Sequence, residues 1–148
     1  MTYAEVSGDP IAHSKSPLIH GFWLEKLGIE ADYRATHVRP EELAAYIASR
    51  RDDPHWRGCN VTVPHKVAVL DHVPDPGGVR DTIGASNTIV RGPDGALIAT
   101  NTDAAGFLAP LAELDLTDQP VAVVGAGGDR KSTRLNSSHG YISYAVFC

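Results

Sequence analysis

Short runs of β-branched and aromatic residues alternate in this chain with segments of helical spacing, and glycine or proline marks nearly every change. That alternation limits the fold more than anything else, because strands recurring between helices build a layered α/β domain with a largely parallel sheet. Tyr3 to Val6 reads as a strand, turned by Gly8-Asp9-Pro10. Leu18, Phe22, Trp23 and Leu27 follow at helical spacing, with Ser16 suited to the N-cap, Pro17 to the first turn and Gly28 to the stop. Asp32 to Val38 alternates as a second strand. Pro40-Glu41-Glu42 opens a helix with acid at its positive end, completed by Leu43, Ile47 and Arg50-Arg51. Gly58 to Val63 is a strand ended by Pro64, and Lys66 to Leu70 and Val79 to Ile83 are short helical turns. Ser86 to Arg91 and Ala96 to Thr100 flank the turn Gly92-Pro93-Asp94-Gly95. Phe107, Leu108, Leu111 and Leu114 mark a helix, and Val121 to Val124 a buried strand.

A chain of 148 residues is one domain, or one domain and part of another. The net charge of −5, without a basic stripe, gives no electrostatic support for nucleic-acid or anionic-membrane binding. No run approaches the ~20 apolar residues of a membrane span, and the N-terminus lacks a secretory pattern. The expectation is a cytoplasmic protein. Cys59 and Cys148 make neither a disulfide framework nor a metal cluster, and Cys59 reads as a small buried hydrophobe. From Asp129 onward serine is frequent and helical periodicity is lost, with only Tyr141 to Phe147 strand-like. Residues 129–148 are therefore expected to be foreign to the fold.

Before residue 129, asparagine occurs only at Asn60, Asn87 and Asn101, and lysine only at Lys15, Lys26 and Lys66. All three asparagines sit in polar segments: 60–66, Asn87-Thr88 and Asn101-Thr102-Asp103. Amides and hydroxyls beside one Lys and one Asp suit a hydroxylated small molecule. Lys66 and Asp103 are the candidate pair for proton transfer, an effect typically worth ~10²–10⁴ in rate. The plain alternative is a surface lysine and an aspartate capping the helix after it. Ser14 and Ser16, before a helix N-terminus, are placed to hold a carboxylate. Asn60, Thr62 and Asn87 offer donors and acceptors for ring hydroxyls. His13 and His65 have no acidic or cysteine partner at ligand spacing and are read as structural or as supports behind the site, so no metal site is expected. Gly125-Ala126-Gly127-Gly128 after an apolar strand opens a dinucleotide loop, but Asp129-Arg130-Lys131 follow where small residues are needed.

In order, Gly8-Asp9-Pro10-Ile11 with His13 to Pro17, Asn60 to Lys66, Ile83 to Thr88, Asn101-Thr102-Asp103 and Gly125 to Gly128 resemble the shikimate dehydrogenases. The resemblance covers residues 2 to about 128. It implies reduction of 3-dehydroshikimate to shikimate with NADPH in chorismate and aromatic amino acid biosynthesis, with a quinate-using relative or a stand-alone binding module for a cyclic polyol acid as alternatives. Lys66 and Asp103 would form the catalytic pair, with Lys66 moving the proton. Ser14, Ser16, Thr62, Asn87 and Asp103 would contact substrate, with Asn60 in support. Gly125, Ala126, Gly127 and Gly128 would lie under the NADP pyrophosphate. The implied organisation is a substrate domain at 1–105, then a linker helix and the first strand and loop of an incomplete Rossmann domain at 106–128. Such a chain is expected to be inactive by itself. The sequence departs from the family pattern at Ala104, where glycine is usual, and at His65, where phenylalanine is common.

Overall fold

The computed structural model describes residues 1–115; the expected strand Val121 to Val124, the glycine run 125–128, the tail 129–148 and Cys148 lie outside them. In chain order the elements are β1 (Thr2–Gly8), α1 (Ser16–Lys26), β2 (Ala31–His37), α2 (Leu43–Arg51), β3 (Trp56–Val61), α3 (Val79–Thr82), β4 (Thr88–Arg91), β5 (Leu97–Thr100) and α4 (Asp103–Leu108). Single 3-10 turns occupy Pro40–Glu42, Ala68–Asp71 and Ala109–Leu111. α4 takes in Asp103 as its first residue, one before the expected start at Ala104, and gives way to a 3-10 turn at Pro110.

The sheet order is β2-β1-β3-β4-β5. β1 pairs in parallel with β2 and β3, whereas β3–β4 and β4–β5 are antiparallel. Four strands thus share one direction and β4 alone is reversed. The reversal is local: the Gly92 N–H donates to the Ala96 carbonyl at 2.8 Å and the Gly95 N–H to Gly92 at 3.0 Å, closing a hairpin with no crossover. Arg91 clips this hairpin to the rest by donating to the carbonyls of Arg50, Asp53 and Trp56.

Lateral pairing sorts the side chains into two faces. Glu5, Cys59, Ile89 and Ala99 form one row, and Val6, Asn60, Thr88 and Thr100 form the next, which points the opposite way. The first row faces the core, where Leu43, Tyr46 and Ile47 of α2 pack with Trp56, Val69, Leu70 and Val73. Each fully buried side chain of this kind contributes about 1.5–3 kcal/mol.

One acid lies inside that core. Glu5 is 1% exposed and accepts from Arg50 Nε at 2.6 Å, the Tyr46 hydroxyl at 2.8 Å and Trp56 Nε1 at 2.8 Å, with the Thr36 hydroxyl as a further donor. Burial pushes its carboxyl upward, but the hydrogen bonds from Arg50, Thr36 and Tyr46 outweigh it and hold Glu5 below the usual carboxylate range. Neighbouring Cys59 is buried, and that burial pushes its thiol up to about 12, so it is an inert hydrophobe rather than a nucleophile.

The opposite face carries α1, and two expectations are corrected there. α1 buries none of its residues: Leu18 is 73% exposed, and Phe22, Trp23 and Leu27 also face outward. Its sheetward stripe is Ser16, His20 and Leu24, all half-buried at i, i+4 and i+8. Apolar spacing located the helix without telling which side turns inward. Ser16 is also not the N-cap. Lys15 holds that position, and the Ser14 hydroxyl accepts the Ser16 N–H at 3.2 Å.

Candidate active site

Because β4 alone is reversed, the carboxyl ends of β1, β3 and β5 and the amino end of β4 meet at one edge of the sheet. Ligands of α/β sheets bind outside the carboxyl ends of strands. β1 leads through Gly8 into the Ser14–Ser16 loop, β3 delivers Asn60, Thr62 and Lys66, β4 begins at Asn87-Thr88, and β5 runs into Asn101-Thr102-Asp103. Four separate stretches of sequence therefore supply one rim.

Close approach holds the first two together. A Cβ on Gly8 would lie 2.5 Å from Thr62 Cγ2 and 3.0 Å from the Val63 carbonyl, so only glycine fits. The Asp9 N–H donates to that same carbonyl at 3.0 Å. The peptides before Pro10 and Pro64 are both cis. Beyond Thr62 the chain turns, with the His65 N–H on the Thr62 carbonyl at 2.9 Å. His65 is buried with Nε2 2.6 Å from the Val38 carbonyl, a structural placement as expected, while His13 is exposed. Next to it, the Lys66 carbonyl accepts the Ser86 N–H at 2.7 Å, which fixes the backbone from which Lys66 reaches the rim.

Lys66 Nζ lies 2.6 Å from Asp103 Oδ2, with both side chains about one-third exposed. The capping alternative for Asp103 does not hold. Thr102 holds the N-cap position, and the first-turn Ala104 N–H is taken by Asn101, whose Oδ1 accepts it at 3.1 Å while its Nδ2 donates to the Ala85 carbonyl at 2.7 Å. The Asp103 carboxylate is left for side chains, and its Oδ1 accepts Asn87 Nδ2 at 2.7 Å. Asn87 is itself buried and fully engaged. Its Nδ2 also donates to Thr102 Oγ1 at 2.9 Å, and its Oδ1 accepts the Thr102 N–H and the Thr88 hydroxyl, each at 2.9 Å. A ligand reaching Asn87 has to displace or share the Thr102 hydroxyl.

Among the described residues, Lys66 keeps two N–H donors for a ligand, and Asp103 keeps unused lone pairs on both oxygens. Thr62 and Ser16 are half-buried, with hydroxyls that meet no partner among the described residues. Asn60 joins the cluster through the Thr88 hydroxyl at 3.4 Å and takes the Tyr33 hydroxyl at 2.6 Å. Sequence reasoning assigned no role to Thr88, Thr102 or Tyr33. The Asn-Thr pairs were a usable signal for the two threonines. Tyr33 had none, since its contact depends on strand register.

Comparison with known proteins follows the same lines. The family described as the shikimate dehydrogenase substrate binding domain matches residues 6–89. The chain belongs to that family. The chain is 73% identical over 126 residues to a protein of Sphingopyxis alaskensis named shikimate dehydrogenase (NADP(+)), covering 85% of this chain and 46% of the relative. A protein of the same name from Lysinibacillus sphaericus is 43% identical over 126 residues, with 83% and 45% covered. The chain thus spans about half the length of the curated relatives it matches. Among solved structures, shikimate 5-dehydrogenase from Thermus thermophilus, in complex with shikimate, superposes with a TM-score of 0.79 at 36% identity, over 99% of this chain and 56% of that one. A 5-ketofructose reductase of a Gluconobacter strain also superposes, with a TM-score of 0.81 at 28% identity, over 98% and 52%. Proteins named for different substrates therefore share this fold, and side chains must decide the substrate.

Proposed function

We propose that this chain is the substrate-binding part of an NADP-dependent shikimate dehydrogenase, which interconverts 3-dehydroshikimate and shikimate. The observation that carries the reading is the Lys66–Asp103 pair, 2.6 Å apart and hydrogen-bonded on its far oxygen by Asn87. NADPH supplies the hydride for the ketone carbon when bound. The chain's own part is to orient the ring and handle the proton. Lys66 donates to the ketone oxygen and neutralises it as it becomes an alkoxide. Asp103 holds the ammonium in place and accepts from a neighbouring ring hydroxyl. Ser14 and Ser16 take the substrate carboxylate ahead of the α1 N-terminus, and Thr62 and Asn60 meet the remaining hydroxyls. Under the same reading residues 1–105 form the substrate unit, and 106–128 lead into the NADP unit, with Gly125, Ala126, Gly127 and Gly128 at the pyrophosphate. The glycine run lies outside the described residues.

Calorimetric titration of the 148-residue chain with shikimate tests this. Binding near one site per chain, with Kd on the order of 1 mM or tighter, is expected. Asp103→Ala should weaken it by about 10-fold or more, the range for a hydrogen bond to a charged group. A chain that is folded by circular dichroism yet releases no binding heat overturns the reading.

A further inference from the structure

We propose that Tyr33 is a positioning residue, whose hydroxyl sets through a one-way chain of side-chain hydrogen bonds how Asn60 meets the ligand and how Asn87 holds Asp103. The inference rests on the substrate reading above for its ligand, but not for its geometry. The chain's direction is fixed at one end by groups that cannot reverse. The Thr102 backbone N–H can only donate, which turns Asn87 Oδ1 toward it at 2.9 Å. Asn87 Nδ2 then faces Asp103 Oδ1 at 2.7 Å, and a carboxylate paired with Lys66 can only accept. The Thr88 hydroxyl, 2.9 Å from Asn87 Oδ1, must therefore donate to it, and its own oxygen is left to accept from Asn60 Nδ2 at 3.4 Å. That turns Asn60 Oδ1 to the Tyr33 hydroxyl, which donates at 2.6 Å. The order is Tyr33 to Asn60 to Thr88 to Asn87 to Asp103, each donating to the next. Such a series is mutually strengthening.

Two consequences follow for the ligand. With one N–H taken by Thr88 and one lone pair of Oδ1 by Tyr33, Asn60 offers the site its second N–H beside the remaining lone pair, and that N–H suits a hydroxyl or carboxylate oxygen. Tyr33 also links the two halves of the rim. Its ring stacks on His20 at 4.0 Å between centroids and 6° between planes, and His20 Nδ1 lies 2.9 Å from the Ser16 carbonyl. The helix start that carries the serines is thus coupled to the element that orients the acid. Burial raises the Tyr33 phenol above its ordinary value, which keeps it a donor across the working pH range.

The test uses the 148-residue chain labelled with ¹⁵N, and reads the side-chain amide resonances of Asn60 and Asn87 without ligand. Tyr33→Phe keeps the ring on His20 and removes only the hydroxyl. It is expected to move the Asn87 amide as well as that of Asn60. Thr88→Val, which cuts a different link, should move Asn87 too, and the double variant should lower shikimate affinity no more than one single variant does. Each single loss is expected at about 3–10-fold, the value of one hydrogen bond. Losses that multiply in the double variant, or an Asn87 amide unmoved by Tyr33→Phe while Asn60 shifts, overturn the proposal. If the amide coupling holds but the unaltered chain does not take up shikimate, the hydrogen-bond chain stands and the substrate reading is what fails.

Discussion

Replacing Lys66 by alanine is expected to lower kcat by about 10²–10⁴-fold in a chain completed with the other half of a relative, with KM much less changed. The Sphingopyxis alaskensis protein is a suitable donor, since 73% identity over 126 residues keeps the junction compatible. The expectation comes from geometry. Lys66 is one-third exposed, held by Asp103 at 2.6 Å, and has N–H groups to spare among the described residues. Alanine removes the proton donor and leaves Asp103 facing the ring oxygen as an uncompensated negative charge, which opposes alkoxide formation. Binding through the serines, Thr62 and Asn60 would persist, so the loss should appear in kcat. Steady-state NADPH consumption checks this, and a fall of less than about tenfold contradicts the assignment of Lys66 as proton donor.

Glu5→Gln is expected to be the most costly core substitution, at about 3–5 kcal/mol in urea unfolding, because removing one partner strands the other charge. Arg50 would lose its carboxylate, and the Tyr46, Thr36 and Trp56 donors would converge on a neutral amide. The pH dependence follows from the sign of the shift. Glu5 has a depressed carboxyl in the folded chain, so its contribution is complete above the unfolded value of about 4.3 and is lost as pH falls through the lower, folded value. Stability of the unaltered chain should therefore decline in acid, and that part of the decline should vanish in the variant. A cost within about 0.5 kcal/mol, with the acid limb unchanged, would show that the ion pair contributes nothing.

Much of this architecture was legible in the sequence, for identifiable reasons. Strands and helices were marked by changes of period, and the hairpin by Gly92-Pro93-Asp94-Gly95. The candidate site was marked by the clustering of scarce amides, since a chain that seldom uses Asn places it where carboxamide geometry matters. What stayed hidden depends on pairing across the sheet or on competition between neighbours. Glu5 in an alternating strand reads as a solvent-facing residue until α2 and Trp56 are placed over it. Ser14 rather than Ser16 supplies the hydroxyl at the start of α1, and Asn101 rather than Asp103 accepts a first-turn N–H of α4; neighbouring residues of equal capping ability cannot be ranked from sequence. Tyr33 and His20 meet Asn60 and the serine loop only because β1 lies between β2 and β3. The apolar spacing of α1 is genuine, but it records residues that face outward among those described.

The most direct test of the account is where shikimate acts on the folded chain, read by NMR shift changes in a ¹⁵N-labelled sample. The account predicts the largest changes at Ser14, Ser16, Asn60, Thr62, Lys66, Asn87 and Asp103, the residues gathered at one edge of the sheet. Changes confined to the outer face of α1 or the β4–β5 turn, with Asn87 and Asp103 unmoved, would contradict it.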